Sequence, residues 1–307
     1  MEKHSKVDFE LFKLANWSQQ ERDELKMRLV SEDLDKYAEA EATVEWEPID
    51  NYWSKVEEAR KNWGQVIGLH SGYWEIDKMI GGFAPGEMTI IGAATGVGKS
   101  RLTANMAMQQ AARGHKVAYA SLENDKTQDG LRFENIIGKE NIEWIRKHDT
   151  LRTIKNQRIE PECLRYLVKK AKNWGAEIIY IDHLHFFGRD MKDQASGIGI
   201  ITQELHYLAE EFEVPLVVVS HLRKMELGQS EPTTDDLRGS SYIGQDADNI
   251  LLLWKGNERG HVFVKVAKHR NRALWEEGAT VEFQHTGLTM LKNPYEEAID
   301  RAYSVIG

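Results

Sequence analysis

The sequence predicts an α/β fold: a doubly wound, mostly parallel sheet followed by antiparallel C-terminal strands and preceded by a short helical extension. Three observations predict it. Short, nearly continuous apolar runs recur along the chain, amphipathic helical patterns separate them, and a glycine-rich turn joins the first run to a helix.

The runs are MTIIG (88–92), KVAYAS (116–121), EIIYID (177–182), PLVVVS (215–220) and NILLLW (249–254). Apolar residues at successive positions suit strands buried on both faces of a parallel sheet. Between the runs, Leu164, Leu167, Val168 and Ala171 share one helical face that ends at Gly175. Ile198, Ile201, Leu205, Leu208 and Phe212 share another. Strands alternating with helices of this length give a doubly wound sheet. HVFVKVAK (261–268), ATVEFQ (279–284) and LTML (288–291) are joined by short turns, which predicts the antiparallel extension.

Before Gly64 the texture differs. Residues 1–50 hold 14 Asp/Glu against 7 Lys/Arg, and the rest of the chain holds 35 against 33. The net charge of -9 therefore sits mainly in an N-terminal appendix, and a near-neutral body leaves room for a local basic loop that binds nucleic acid. Trp53, Val56 and Trp63 fall at helical spacing, a stripe that docks either on the chain's own core or on a neighbouring subunit. The expected domains are 1–63, an acidic helical extension with a linker helix, and 64–307, a nucleotide-binding domain. The single cysteine, Cys163, excludes an internal disulfide and fits a reducing compartment. No run of about 18 apolar residues is present, so neither membrane insertion nor secretion is expected.

The decisive motif is IIGAATGVGKS, residues 90–100, between a strand and the helical run RLTANMAMQQAA. Gly96 and Gly98 let successive backbone N–H groups wrap phosphates at a helix N-terminus. Ala94, Thr95, Gly96, Val97, Gly98, Lys99, Ser100 and Arg101 form the expected nucleotide contact. Lys99 would reach the β- and γ-phosphates of ATP, and the Ser100 hydroxyl would ligate Mg²⁺. The first position of the phosphate-loop pattern is Ala93 rather than Gly. Asp182 and Glu123 close two apolar runs and so point at the phosphate loop, because such sheets bind ligands outside the carboxyl ends of their strands. One acid suits the metal, and the other suits orienting and deprotonating water. His221 follows PLVVVS, as a γ-phosphate contact or as an incidental loop residue. The stretch between Leu222 and Ile243 lacks apolar periodicity and is expected to protrude as a loop.

Several motifs in one order resemble the RecA-type motor of DnaB-like ring helicases: the lead-in GLHSGYWEIDKMIGGFAPGEMTIIGA, SLE (121–123), YIDHLHFF (180–187), VSHL (219–222), DLRGSSYIGQDADNI (236–250) and KHR (268–270). The resemblance spans residues 64–292 and implies a RecA-like fold. It also implies that Glu123 is the catalytic glutamate, Asp182 the metal ligand and His221 a γ-phosphate sensor of the phage and mitochondrial type. Lys268 and Arg270 match a pair that reaches the neighbouring subunit's ATP site, with Arg270 as arginine finger and Arg272 two residues on.

The resemblance implies an ATP-driven, 5′-to-3′ ring helicase on single-stranded DNA, a homo-oligomer read as a hexameric ring. A primase or loader is an expected partner, no membrane is involved, and the expected location is the cytoplasm (a host's, if phage-encoded). No primase activity is expected, since the family's large N-terminal domains have no counterpart in the acidic segment 1–63. Arg238 is the expected DNA-phosphate contact, assisted by backbone N–H groups of Gly239 and Ser241; a salt bridge to Asp235 or Asp236 is the other reading. Arg223 and Lys224, beside Glu226, are further phosphate contacts or a solvated face. Two alternatives stand beside the helicase: a RecA- or KaiC-like ATPase that binds DNA or protein without unwinding, and an inert accessory subunit.

Overall fold

A computed structural model describes residues 20, 49, 68–122, 125–154, 163–184, 194–223, 231–237, 240–256, 261–270 and 280–284. The chain divides into two compact units, Met1–Lys61 and Asn62–Gly307. In the first unit only Gln20 and Ile49 are described, both helical and exposed. The Trp53/Val56/Trp63 helix and the LTML segment lie outside the described residues.

In the second unit the order is α1 (Trp74–Ile80), β1 (Met88–Ala93), α2 (Lys99–Ala112), β2 (Val117–Ser121), α3 (Lys126–His148), β3 (Leu151–Ile154), α4 (Cys163–Trp174), β4 (Ile178–Asp182), α5 (Gln194–Glu211), β5 (Leu216–His221), α6 (Ser240–Asp246), β6 (Asn249–Lys255), β7 (His261–His269) and β8 (Thr280–Gln284). The eight strands form one sheet in the order β3-β2-β4-β5-β1-β6-β7-β8. Pairing is parallel from β3 to β6, and β7 and β8 join antiparallel.

Successive strand residues face opposite sides of a sheet, and each side here has its own core. Ile90, Ile181, Val218 and Leu252 pack with Leu164, Leu167 and Val168 of α4 and Ile198, Ile201, Leu205 and Leu208 of α5. Ile91, Tyr180, Val217 and Leu251 pack with Ile76 of α1, Leu102 and Met106 of α2, and Phe133 of α3. The expected helical faces are the buried ones: α4 buries Leu164, Leu167, Val168 and Ala171 and stops before Gly175, whose φ is 93°. β3 and α3 are among the additions to the predicted set. β3 is an edge strand with Arg152 and Thr153 exposed, and α3 contains a non-helical Gly138 (φ 80°, ψ 164°).

The stretch after Leu222 corrects an expectation. It is not a free loop as far as Ile243. Leu222 pairs with Leu237 in an isolated antiparallel bridge, Thr234–Asp236 form a 3₁₀ turn, and Ser240 opens α6. A capping box between Thr233 and Asp236 nucleates the turn. Leu237 and Ile243 anchor both ends in the core beside Leu222 and Leu252, although no periodic pattern announces them. Among the described residues no helix is long and apolar enough to cross a membrane.

Candidate nucleotide site

β1 delivers the chain to the phosphate loop. Ala93 ends the strand fully buried and is absent from the left-handed backbone positions, so a methyl group is accommodated where a glycine is usual. The turn then uses left-handed backbone at Gly96 (φ 77°) and Gly98 (φ 119°), conformations that side chains resist. Gly98 caps α2, and its carbonyl accepts from the amides of Arg101 and Leu102 at 3.0 and 2.9 Å. Thr95 and Gly96 are exposed, Ala94, Gly98, Ser100 and Arg101 are half-buried, and Val97 and Lys99 are buried. Lys99 is the first residue of α2, so its positive charge is added to the positive end of a helix. Neither favours the other, and both favour a bound polyphosphate. Burial, then the Arg132 cation, holds the Arg101 pKa below its ordinary value.

The strand order places three functional tips side by side. β5 lies between β1 and β4, His221 pairs with Ala93, and Ser121 of β2 pairs with Asp182 of β4. Asp182 is 1% exposed. Ser100 Oγ donates to its Oδ1 at 3.0 Å, and Tyr119 Oη donates to its Oδ2 at 3.2 Å. Thr103 Oγ1 lies 3.2 Å from the Tyr119 hydroxyl. Burial, with the Asp182 charge adding to it, pushes the Tyr119 phenol well up, so it remains a donor. The Asp182–His183 peptide is cis. It is followed by a buried His183 whose Nε2 is 3.1 Å from Nε2 of His221, with the rings edge-to-face.

Tyr119, Thr103 and His183 are site residues that the sequence reading missed. His183 had a signal, because it directly follows Asp182 in the YIDHLHFF motif. Tyr119 and Thr103 had none, since each looks like part of an ordinary strand or helix.

Glu123 lies outside the described residues. Its neighbour Leu122 donates its amide to the Asp182 carbonyl at 2.8 Å. Asp125, close by, caps α3: its Oδ1 accepts from the amides of Thr127 and Gln128 at 2.7 and 2.9 Å.

Lys268 and Arg270 sit elsewhere. The Lys268 ammonium donates to the carbonyls of Gly244, Gln245 and Ala247 at 2.7, 3.2 and 2.6 Å, the C-terminal end of α6. Arg270 donates to the Gln245 carbonyl and has Nη1 3.5 Å from Asp248 Oδ1. Asp248 also grips the start of β1, its Oδ2 accepting from Met88 N at 2.9 Å while its own amide donates to Met88 O. This is the amino edge of the sheet: Asn249 pairs with both Thr89 and His269. From Thr89 to Ala93 is roughly 13 Å at about 3.3 Å per residue. Within one subunit these cations and the phosphate loop occupy opposite ends.

Of the expected DNA contacts, Lys224, Arg238 and Gly239 lie outside the described residues, as does Arg272. Arg223 donates its amide to the Asp236 carbonyl at 2.6 Å, closing the base of the segment. Ser241 is in the first turn of α6. Asp236 is engaged with Thr233, its Oδ2 accepting from Thr233 N at 2.7 Å.

The family model for the DnaB-like helicase C terminal domain matches residues 68–153 and 134–287. The replicative DNA helicase DnaB of Geobacillus stearothermophilus is 28% identical over 241 residues, covering 68% of this chain and 53% of that protein. The replicative helicase DnaC of Bacillus subtilis is 26% identical over 252 residues, covering 71% and 56%. The chain thus spans about half the length of these curated relatives. A solved DnaB-like replicative helicase, described with its interactions with primase, superposes with a TM-score of 0.66 at 20% identity, covering 94% of this chain and 78% of that one. The RadB recombinase gives 0.54 at 19% identity over 72% and 98%. The fold is RecA-like, and the chain belongs to the DnaB-like helicase C-terminal domain family.

Proposed function

We propose that this chain is the motor of an ATP-dependent ring helicase that translocates on single-stranded DNA and unwinds duplex during replication. One observation carries the reading. Arg270 and Lys268 stand at the amino edge of the sheet, while Lys99, Ser100 and Asp182 stand at the carboxyl edge. An arginine finger so placed serves only a neighbouring subunit, which is what a ring of identical subunits supplies.

The chemistry follows from the residues. Lys99 and the α2 amides bind and orient the β- and γ-phosphates of ATP, and Glu123 takes the proton of the attacking water. His221, at the tip of the strand between loop and carboxylate, contacts the γ-phosphate and registers its loss. Ser100 and Asp182 supply two hard oxygen donors 3.0 Å apart, a set that would suit Mg²⁺. A Mg²⁺ ion held by Ser100 and Asp182 would supply neutralisation of the phosphate charge. Arg270 of the adjoining subunit completes the charge stabilisation, with Lys268 beside it.

DNA contact is assigned to Arg238, the Gly239 and Ser241 amides, and secondarily Arg223 and Lys224. The ring is read as a hexamer working in the cytoplasm, with a primase or loader as partner. Residues 1–63 are assigned as a helical extension and 64–307 as the motor.

Likeness to RadB, and to a KaiC-like protein at a TM-score of 0.56, favours a second reading as an ATPase that binds DNA without unwinding it. A tailed-duplex strand-displacement assay separates the two. Displacement with ATP and none with a non-hydrolysable analogue supports the helicase; DNA-stimulated hydrolysis without displacement supports the alternative.

A further inference from the structure

We propose that Tyr119 is a positioning residue for the metal-binding carboxylate, an assignment that rests on reading Ser100 and Asp182 as the Mg²⁺ site.

Tyr119 lies in the middle of β2, flanked by Ala118 and Ala120, with its side chain fully buried. Its ring stacks on Tyr180 with centroids 5.9 Å apart and meets Phe133 edge-on at 5.7 Å. A phenylalanine would satisfy that packing equally. The hydroxyl is the part that packing leaves unexplained, since burying one is costly without a hydrogen-bond partner. Its partners are Asp182 Oδ2 and Thr103 Oγ1, both at 3.2 Å.

The Asp182 carboxylate is therefore held through both oxygens. Ser100 takes Oδ1 directly from the first turn of α2. Thr103, one turn further along the same helix, reaches Oδ2 through Tyr119. The two holds fix the plane of the carboxylate and keep Oδ1 facing Ser100, where the cation would be held. Outer hydrogen bonds of this type orient the ligating group before the metal arrives.

Tyr119→Phe keeps the ring and removes the hold on Oδ2. Mn²⁺, standing in for Mg²⁺, is titrated into the full chain with ADP and followed by electron paramagnetic resonance, for wild type, Tyr119→Phe and Asp182→Asn. Tyr119→Phe is expected to bind Mn²⁺ about ten- to a hundredfold more weakly, with metal-free ADP affinity unchanged. Thr103→Val, whose hydroxyl lies 3.2 Å from that of Tyr119 and also 3.3 Å from the carbonyls of Lys99 and Ser100, should shift Mn²⁺ affinity in the same direction by less; thermal unfolding establishes which variants fold. Wild-type Mn²⁺ affinity in Tyr119→Phe, or in Thr103→Val should the former not fold, overturns the assignment when Asp182→Asn has lost the metal. Wild-type affinity in Asp182→Asn instead overturns the underlying metal site.

Discussion

Nε2 of His183 and Nε2 of His221 lie 3.1 Å apart, across the tips of neighbouring strands β4 and β5. At that distance one nitrogen donates and the other accepts, so the tautomer of His221 is tied to that of His183. His183→Phe keeps a ring of similar size and removes the tie. The expected result is near-normal ATP affinity with kcat lowered about tenfold, read from the split between KM and kcat. An unchanged kcat would show that His221 works without its neighbour.

Lys99→Ala should abolish nucleotide binding, measured with a fluorescent ATP analogue. Glu123→Gln should bind ATP and lose turnover by about 10²–10⁴-fold, because an amide does not take a proton from water. Asp125, whose Oδ1 holds two amides at the start of α3, is the next candidate base. Hydrolysis near the wild-type rate in Glu123→Gln would place the base elsewhere.

Hydrolysis should depend on protein concentration, because the finger comes from another subunit. Arg270→Ala should bind ATP and lose about 10³–10⁵ in rate. Mixing it with Glu123→Gln should regain activity at interfaces that join an intact base to an intact finger. Co-assembled rings without any rescue would refute a shared site.

Arg238→Ala should weaken single-strand binding on every sequence and reduce the salt slope by about 1, as loss of one phosphate contact does. Filter binding across a salt series reads both quantities. A wild-type affinity at low salt would move the DNA site off this segment.

Gly68→Ala tests the lead-in to the motor. A Cβ there would lie 2.5 Å from Phe83 N, which donates to Leu69 O in the Leu69–Phe83 bridge, and 2.6 Å from Ala84 N. Overpacking of this kind costs about 1–3 kcal/mol. The denaturant midpoint should fall accordingly, and an unchanged midpoint would mean that the lead-in shifts freely.

The central strands were legible because burial on both faces leaves unbroken apolar runs, as in Ile178–Asp182 and Leu216–His221. β3 was hidden because an edge strand needs no such run, and Arg152 and Thr153 point into solvent. The phosphate loop was legible because its glycines and Lys99 are set by local backbone geometry. Tyr119 was not, since only the pairing of β2 with β4 brings its hydroxyl to a carboxylate 63 residues away. The Leu222–Leu237 bridge was missed for the same reason. Two isolated leucines carry no period, and their partnership exists only in three dimensions.

Asp248 clasps Met88 through backbone and side chain, and its carbonyl accepts from the Arg270 amide at 2.8 Å. β1 is therefore a pushrod with the phosphate loop at one tip and Arg270 fastened at the other. It is central and fully buried, paired in register with β5 on one side and β6 on the other. If Arg270 serves the neighbouring subunit, the length of one strand is all that separates the two nucleotide sites its subunit takes part in.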